Sequence, residues 1–209
     1  MVEIVRATEE IKVSTLNLLI YGSPGIGKTS LGFTAGNALI LDFDHGAHRS
    51  HFRGNTCIIK KWEDAAALPR DESLAEFDVL VVDTVGRALD MKTHDIIKQN
   101  SKMGRPSGTL TLPGYGELKA GFTHWVKQLN CLGKDLIFIC HDKEDRKNDD
   151  IIVRPDVQGG SLAEIHKVSD GIGHMSKRGN TTTLDFSPRD DAIGKNPAQL
   201  DVLEVPDFN

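Results

Sequence analysis

Gly22-Ser23-Pro24-Gly25-Ile26-Gly27-Lys28-Thr29, followed by Ser30, fits G-x-x-x-x-G-K-[ST] at every position. Residues of these types at this spacing can hold phosphate. Glycines let successive backbone N–H groups turn inward around an anion, and a helix starting at Lys28 adds the positive end of its dipole. Lys28 is placed to reach the β- and γ-phosphates of a nucleoside triphosphate, and the Thr29 hydroxyl to ligate Mg²⁺. Gly22 to Ser30 are therefore the expected nucleotide contacts, with ATP and Mg²⁺ as the expected ligands.

Three further strings end an apolar run in a polar side chain. Phe77-Asp78-Val79-Leu80-Val81-Val82-Asp83-Thr84 supplies Asp83, the expected second position for Mg²⁺. Ala38-Leu39-Ile40-Leu41-Asp42-Phe43-Asp44-His45-Gly46 offers two carboxylates, and Leu136-Ile137-Phe138-Ile139-Cys140-His141 ends in an imidazole that titrates near neutral pH. No glutamate follows Asp83; Thr84 stands there, so a water-activating base has to come from elsewhere.

These side chains need a scaffold that brings strand ends together. Leu16–Tyr21, Ala38–Phe43, Thr56–Ile59, Val79–Asp83 and Leu136–Cys140 read as short buried strands. Helical segments are expected between them at Lys28–Thr34, Trp62–Leu68, Gly86–Gln99 and Glu117–Leu132. In the last, Leu118, Phe122, Trp125, Val126 and Leu129 share one face. Alternation of this kind predicts an α/β fold with a mostly parallel central sheet and helices on both faces. A helix at Ser161–Val168 and strands at Gly171–Met175 and Thr181–Phe186 are expected to follow.

The 209 residues suffice for one domain, and 39% hydrophobic with 26% charged residues is ordinary for a folded soluble chain. No apolar stretch approaches the roughly 20 residues that a bilayer requires. The three cysteines form no CxxC pair and read as reduced thiols of a cytoplasmic protein. A net charge of −5 provides no global field for nucleic acid, so any such contact must concentrate on local cations.

Two segments read as long loops. Residues 100–116 contain four glycines and two prolines, are net basic through Lys102 and Arg105, and offer Tyr115 for stacking. Residues 142–160 set Lys143, Arg146, Lys147 and Arg154 among six acids. Loops of this length in a compact domain are usually functional or disordered.

Tyr21-Gly-Ser-Pro-Gly-Ile-Gly-Lys-Thr-Ser, Val82-Asp83-Thr84, the His141 strand end and Gly194-Lys195-Asn196 together resemble the short RecA-core ATPases of bacteriophages, the phage nucleotide-binding proteins. One class of these acts as single-strand annealing recombinases. The resemblance spans about residues 14–200. It implies a RecA-like P-loop core over residues 1–187, its motifs within 14–187; the tail at 188–209, polar and proline-containing, is expected from that composition to dock on a neighbouring subunit. It implies that Asp44 activates water, one methylene shorter than the family's glutamate, with Asp42 next in line, and that His141 senses the γ-phosphate. Lys28, Asp44 and His141 are then the catalytic residues. Lys102, Arg105, Tyr115, Lys143, Arg146 and Lys147 become candidates for contacting single-stranded DNA.

The same resemblance implies a homo-oligomer, ring or filament, in which Arg189 or Lys195 reaches a neighbour's γ-phosphate. It also implies a single-strand binding protein as partner and residence in the cytoplasm of a bacterial host. The expected activity is DNA-stimulated ATP hydrolysis in recombination. A small-molecule or nucleotide kinase, or a nucleotide-gated binding module with little turnover, is the alternative.

Weaker constellations have plainer readings. His45, His48 and His51 near Cys57 invite zinc, but the spacing rotates around a helix and lacks a CxxC or HxxxH pair. They read better as polar loop residues. Trp62 and Trp125 lie at helical apolar positions and read as core.

Overall fold

A run such as Val79–Asp83, apolar until its last residue, fills both faces of a strand and belongs inside a covered sheet. The computed structural model describes residues 6–10, 13–147, 150–158 and 160–206. Its strands are β1 (Asn17–Gly22), β2 (Ala38–Asp42), β3 (Asn55–Ile58), β4 (Val79–Asp83), β5 (Asp135–Lys147), β6 (Asp150–Pro155), β7 (Gly171–Arg178), β8 (Thr181–Asp185) and β9 (Leu203–Val205). Its α-helices are α1 (Lys28–Gly32), α2 (Trp62–Ala67), α3 (Val85–Gln99), α4 (Leu112–Asn130) and α5 (Gly160–Val168).

The sheet runs β3-β2-β4-β5-β1-β7-β8-β9, with β6 paired to β5 alone. The first six strands of that order are parallel neighbours, and β8 and β9 add antiparallel. This is the expected α/β class with a mostly parallel sheet. Alternation along each strand divides the core in two. Leu39, Leu41, Leu80 and Val82 face the larger cluster built with α3 and α4, while Ile40, Val81 and Ile139 face the side that carries Phe33.

Both tryptophans are core, as their spacing implies. Trp125 packs against Trp62, Phe122 and Phe43, and its indole N–H donates to the Ala65 carbonyl at 2.7 Å. Burial of such rings packs α2 against α4.

Two expected loops are corrected. Helix α4 begins at Leu112, so Tyr115 sits in its first turn; Thr111 caps it, with Pro113 beside the cap. Proline suits this position because the first N–H groups of a helix lack intrahelical partners anyway. The irregular part shrinks to 100–111, a 3-10 turn at Ser101–Met103 and a bridge between Gly104 and Leu110. Residues 142–147 and 150–155 are strand rather than loop: β5 continues past the sheet and pairs antiparallel with β6. Charges on both faces are tolerated there because the projecting ribbon is solvated, and Arg154 pairs with Asp145 across it.

The described tail, 188–206, returns to this chain's own core, where its polar composition pointed to a neighbour. Ala192 bridges Val153, Lys195 bridges Ile172, and β9 covers the edge of β8 with Val205 buried. No helix among the described residues is long and apolar enough to cross a membrane.

Parallel pairing has one consequence for chemistry. Asp42 is in register with Asp83, and Gly22 with His141. The polar ends of β2, β4, β5 and β1 thus share one edge of the sheet, the edge where open α/β sheets bind ligands.

Candidate nucleotide site

Residues 22–29 form the turn from β1 into α1. Gly25 and Gly27 adopt φ of 77° and 99°, left-handed values that a side chain would strain. Gly22 is needed for a different reason: a Cβ there would lie 2.2 Å from the Met175 carbonyl oxygen of β7. Lys28 is buried, and its Nζ donates to the carbonyls of Gly22 at 2.7 Å and Ser23 at 2.8 Å. Burial pushes its pKa down to about 8, opposed by Asp142 and Asp83.

Thr29 Oγ1 donates to Asp83 Oδ2 at 2.6 Å. Burial pushes the Asp83 carboxyl up to about 6, against the bond from Thr29. A hydroxyl and a carboxylate so close are hard oxygen donors of the kind that hold Mg²⁺ jointly with substrate phosphates. The two residues fit that ion. Among the described residues no group of three or more His, Cys, Asp or Glu side chains could hold a metal by itself. His45 instead contacts the Ile59 carbonyl, and the backbone N–H of His51 donates to Ser30 Oγ.

Asp42 and Asp44 have separate duties. Asp42 is buried and accepts the backbone N–H groups of Gly46 at 3.1 Å and Ala47 at 3.0 Å. It shapes the turn and does not line the cavity that holds Lys28 and Asp83. That turn sets Asp44 on a cavity of about 380 Å³ shared with Lys28, Thr29, Arg49, Asp83 and His141. Both Asp44 oxygens accept from guanidiniums, Oδ1 from Arg87 Nε at 3.2 Å and Oδ2 from Arg49 Nη2 at 3.3 Å.

His141 lies on the same cavity, half-buried, with its Nδ1 buried and unpartnered among the described residues. Burial, then Lys28, pushes its pKa down, which favours the neutral ring. The next residue, Asp142, accepts from the Ser23 hydroxyl at 2.9 Å and ties β5 to the glycine-rich loop. Beyond that contact a second cavity opens between Pro24, Ile26, Lys143 and His174.

The structure therefore gathers Gly22 to Ser30, Asp83, Asp44 and His141 at one sheet edge. It sets the other candidates apart. Lys102 and Arg105 are exposed in the segment after α3, and Tyr115 is exposed on α4. Lys143 and Arg146 are exposed on the β5–β6 ribbon; the side chain of Lys147 lies outside the described residues. Arg189 is held by Asp185 and Asp191, each at 3.1 Å, and Lys195 Nζ donates to the Ser169 carbonyl. Both expected trans-acting cations are thus bound within their own chain.

Arg87, Arg49 and Asp142 are the side chains whose place in the site went unread. Arg87 carries no motif, and its only signal is a position one helical turn after Asp83. Arg49 sits among the polar loop histidines and Asp142 opens a run of mixed charge, so neither stands out in the sequence.

A family model described as AAA domain matches residues 14–198. No curated protein matches the chain.

Proposed function

From the premise that this chain belongs to the AAA-domain family of P-loop NTPases, we propose that it hydrolyses ATP at the cavity between α1 and the ends of β2 and β4, and couples the nucleotide state to single-stranded DNA. One observation carries the first half. Lys28, the Thr29–Asp83 pair, Asp44 and His141 face one cavity although they come from four separate segments. Loop N–H groups and Lys28 hold the β- and γ-phosphates. Thr29 and Asp83 would hold Mg²⁺, which would supply positive charge against the phosphate oxygens. Asp44 accepts a proton from water as the water oxygen bonds to the γ-phosphorus. The bond from that phosphorus to the bridging oxygen breaks, and its electron pair leaves on ADP. His141, neutral and with Nδ1 unpartnered, donates to the transferred phosphoryl group.

The DNA half rests on the RecA-like resemblance and on placement. Helix α3 starts beside Asp83 and, at 15 residues, extends about 22 Å. It leads to the turn bearing Lys102 and Arg105. Both are exposed and engage no acid among the described residues, which leaves them available to phosphates. Annealing or strand pairing in recombination is the process this reading serves, with an oligomer as the working form. Phosphate release measured with and without single-stranded DNA tests it: stimulation supports the coupling, and an equal rate removes it.

A nucleotide-gated module of low turnover is the second reading. The two arginines on Asp44 favour it, because water must compete with them for the carboxylate.

A further inference from the structure

We propose that Arg49 is the γ-phosphate-binding cation of this site, supplied by the same chain, and that a bound triphosphate releases Asp44 by drawing Arg49 away from it. This rests on the ATP-hydrolysis reading above and adds to it a residue and an order of events.

Arg49 is the one arginine lining the cavity among the described residues. The two residues after it are tied to the phosphate-binding helix: Ser50 Oγ and Ser30 Oγ lie 3.0 Å apart, and the His51 N–H donates to Ser30 Oγ at 3.1 Å. The Arg49 side chain is 64% exposed and contacts Asp44 through a single nitrogen at 3.3 Å. An exposed head can exchange partners by rotating side-chain bonds alone. Gly46 leaves the room this pair needs, since a Cβ there would come within 2.5 Å of Arg49 Nη2 and 3.2 Å of Asp44 Oδ2.

Competition sets the direction of exchange. A γ-phosphate carries more charge than a carboxylate and presents oxygens to both prongs of a guanidinium, whereas Asp44 engages one. Arg87 lies outside the cavity lining and is also held by Asp90 at 3.4 Å. It therefore stays on Asp44 Oδ1 as a positioning residue, while Oδ2 is freed to meet water. Arg189 and Lys195, the alternative cations, are already bound within the chain.

The test compares affinities for a non-hydrolysable ATP analogue and for ADP by equilibrium titration with Mg²⁺ present. Arg49→Ala should weaken analogue binding about 10- to 100-fold, the value of a lost charge-assisted bond, and leave ADP within about threefold. Arg49→Lys should restore part of the difference. Asp44→Asn removes the competitor for Arg49, so it should tighten analogue binding in the parent and have no effect in the Arg49→Ala background. An unchanged analogue-to-ADP ratio in Arg49→Ala overturns the contact, and an Asp44→Asn effect that ignores Arg49 overturns the exchange. Mixing Arg49→Ala with Lys28→Ala protein should recover no turnover; recovery would show that Arg49 acts across subunits. The affinity ratio reads Arg49 even if the parent fails to hydrolyse ATP, a result that would count against the hydrolysis reading instead.

Discussion

Thr29 Oγ1 lies 2.6 Å from Asp83 Oδ2, joining the first turn of α1 to the end of β4 across 54 residues of chain. The bond is made where the carboxylate is almost wholly buried, at 4% exposure. Function and stability are therefore opposed at Asp83: the ion it suits needs the charged form, and burial disfavours that form.

Asp83→Asn follows from that opposition. Burial raises the folded-state pKa from 3.8 to about 6, so the folded chain holds this proton more tightly than the unfolded chain does. Without Mg²⁺, stability from this group is present below pH 4 and is lost as pH rises through 6. At pH 7 the substitution should therefore raise Tm, by about 2–4 °C for each kcal/mol recovered, while removing Mg²⁺-dependent nucleotide binding. Thermal melts at pH 7 and pH 4 check it. A lower Tm at pH 7 contradicts the assignment of burial as the dominant effect.

Gly22→Ala should destabilise the protein by about 1–3 kcal/mol, the usual cost of overpacking. The new methyl meets the Met175 carbonyl oxygen at 2.2 Å, a backbone atom held in the β1–β7 ladder. Chemical denaturation measures it, and stability within 0.5 kcal/mol of the parent, well under the about 1 kcal/mol expected of overpacking, would show that β7 yields.

That glycine shows where the sequence was readable. As part of a phosphate motif Gly22 was found at once, yet its contact with β7 depends on a strand over 140 residues later. Asp83 and His141 were legible because an apolar run ending in a polar residue marks a buried strand reaching the sheet edge. The start of α4 was not, because Pro113, Gly114 and Gly116 disguise a capped first turn as a loop. The β5–β6 pairing was hidden by Asp142-Lys-Glu-Asp-Arg, where both faces are wet and no alternation appears. Arg87 was unreadable in principle: it is an exposed helical residue whose partner, Asp44, lies 43 residues earlier.

Asp44→Asn should bind Mg·ATP and slow its hydrolysis on the order of 10²–10⁴-fold, the range for a lost general base. Single-turnover measurement separates the two effects. An unchanged rate would dismiss Asp44, and Asp42 is no substitute because the turn amides of Gly46 and Ala47 occupy it.

Replacing Lys102 and Arg105 by alanine should weaken single-strand binding and leave basal ATP hydrolysis intact. Without these two cations on the DNA phosphates, the salt dependence of log K should flatten by about 1.4. Binding equal to the parent across a salt series would remove this turn from the DNA site.

The central claim is that the Lys28–Asp83 cavity hydrolyses ATP, and phosphate release with Mg·ATP, parent against Lys28→Ala, tests it most directly. The account predicts turnover in the parent and a loss on the order of 10²-fold or more in the variant. Because burial places the Lys28 pKa at about 8 and phosphate needs its charged form, the parent's apparent ATP affinity should fall as pH rises through 8. Lys28→Ala protein should show no such fall. Turnover in Lys28→Ala equal to the parent's, with the same pH profile, would contradict the account.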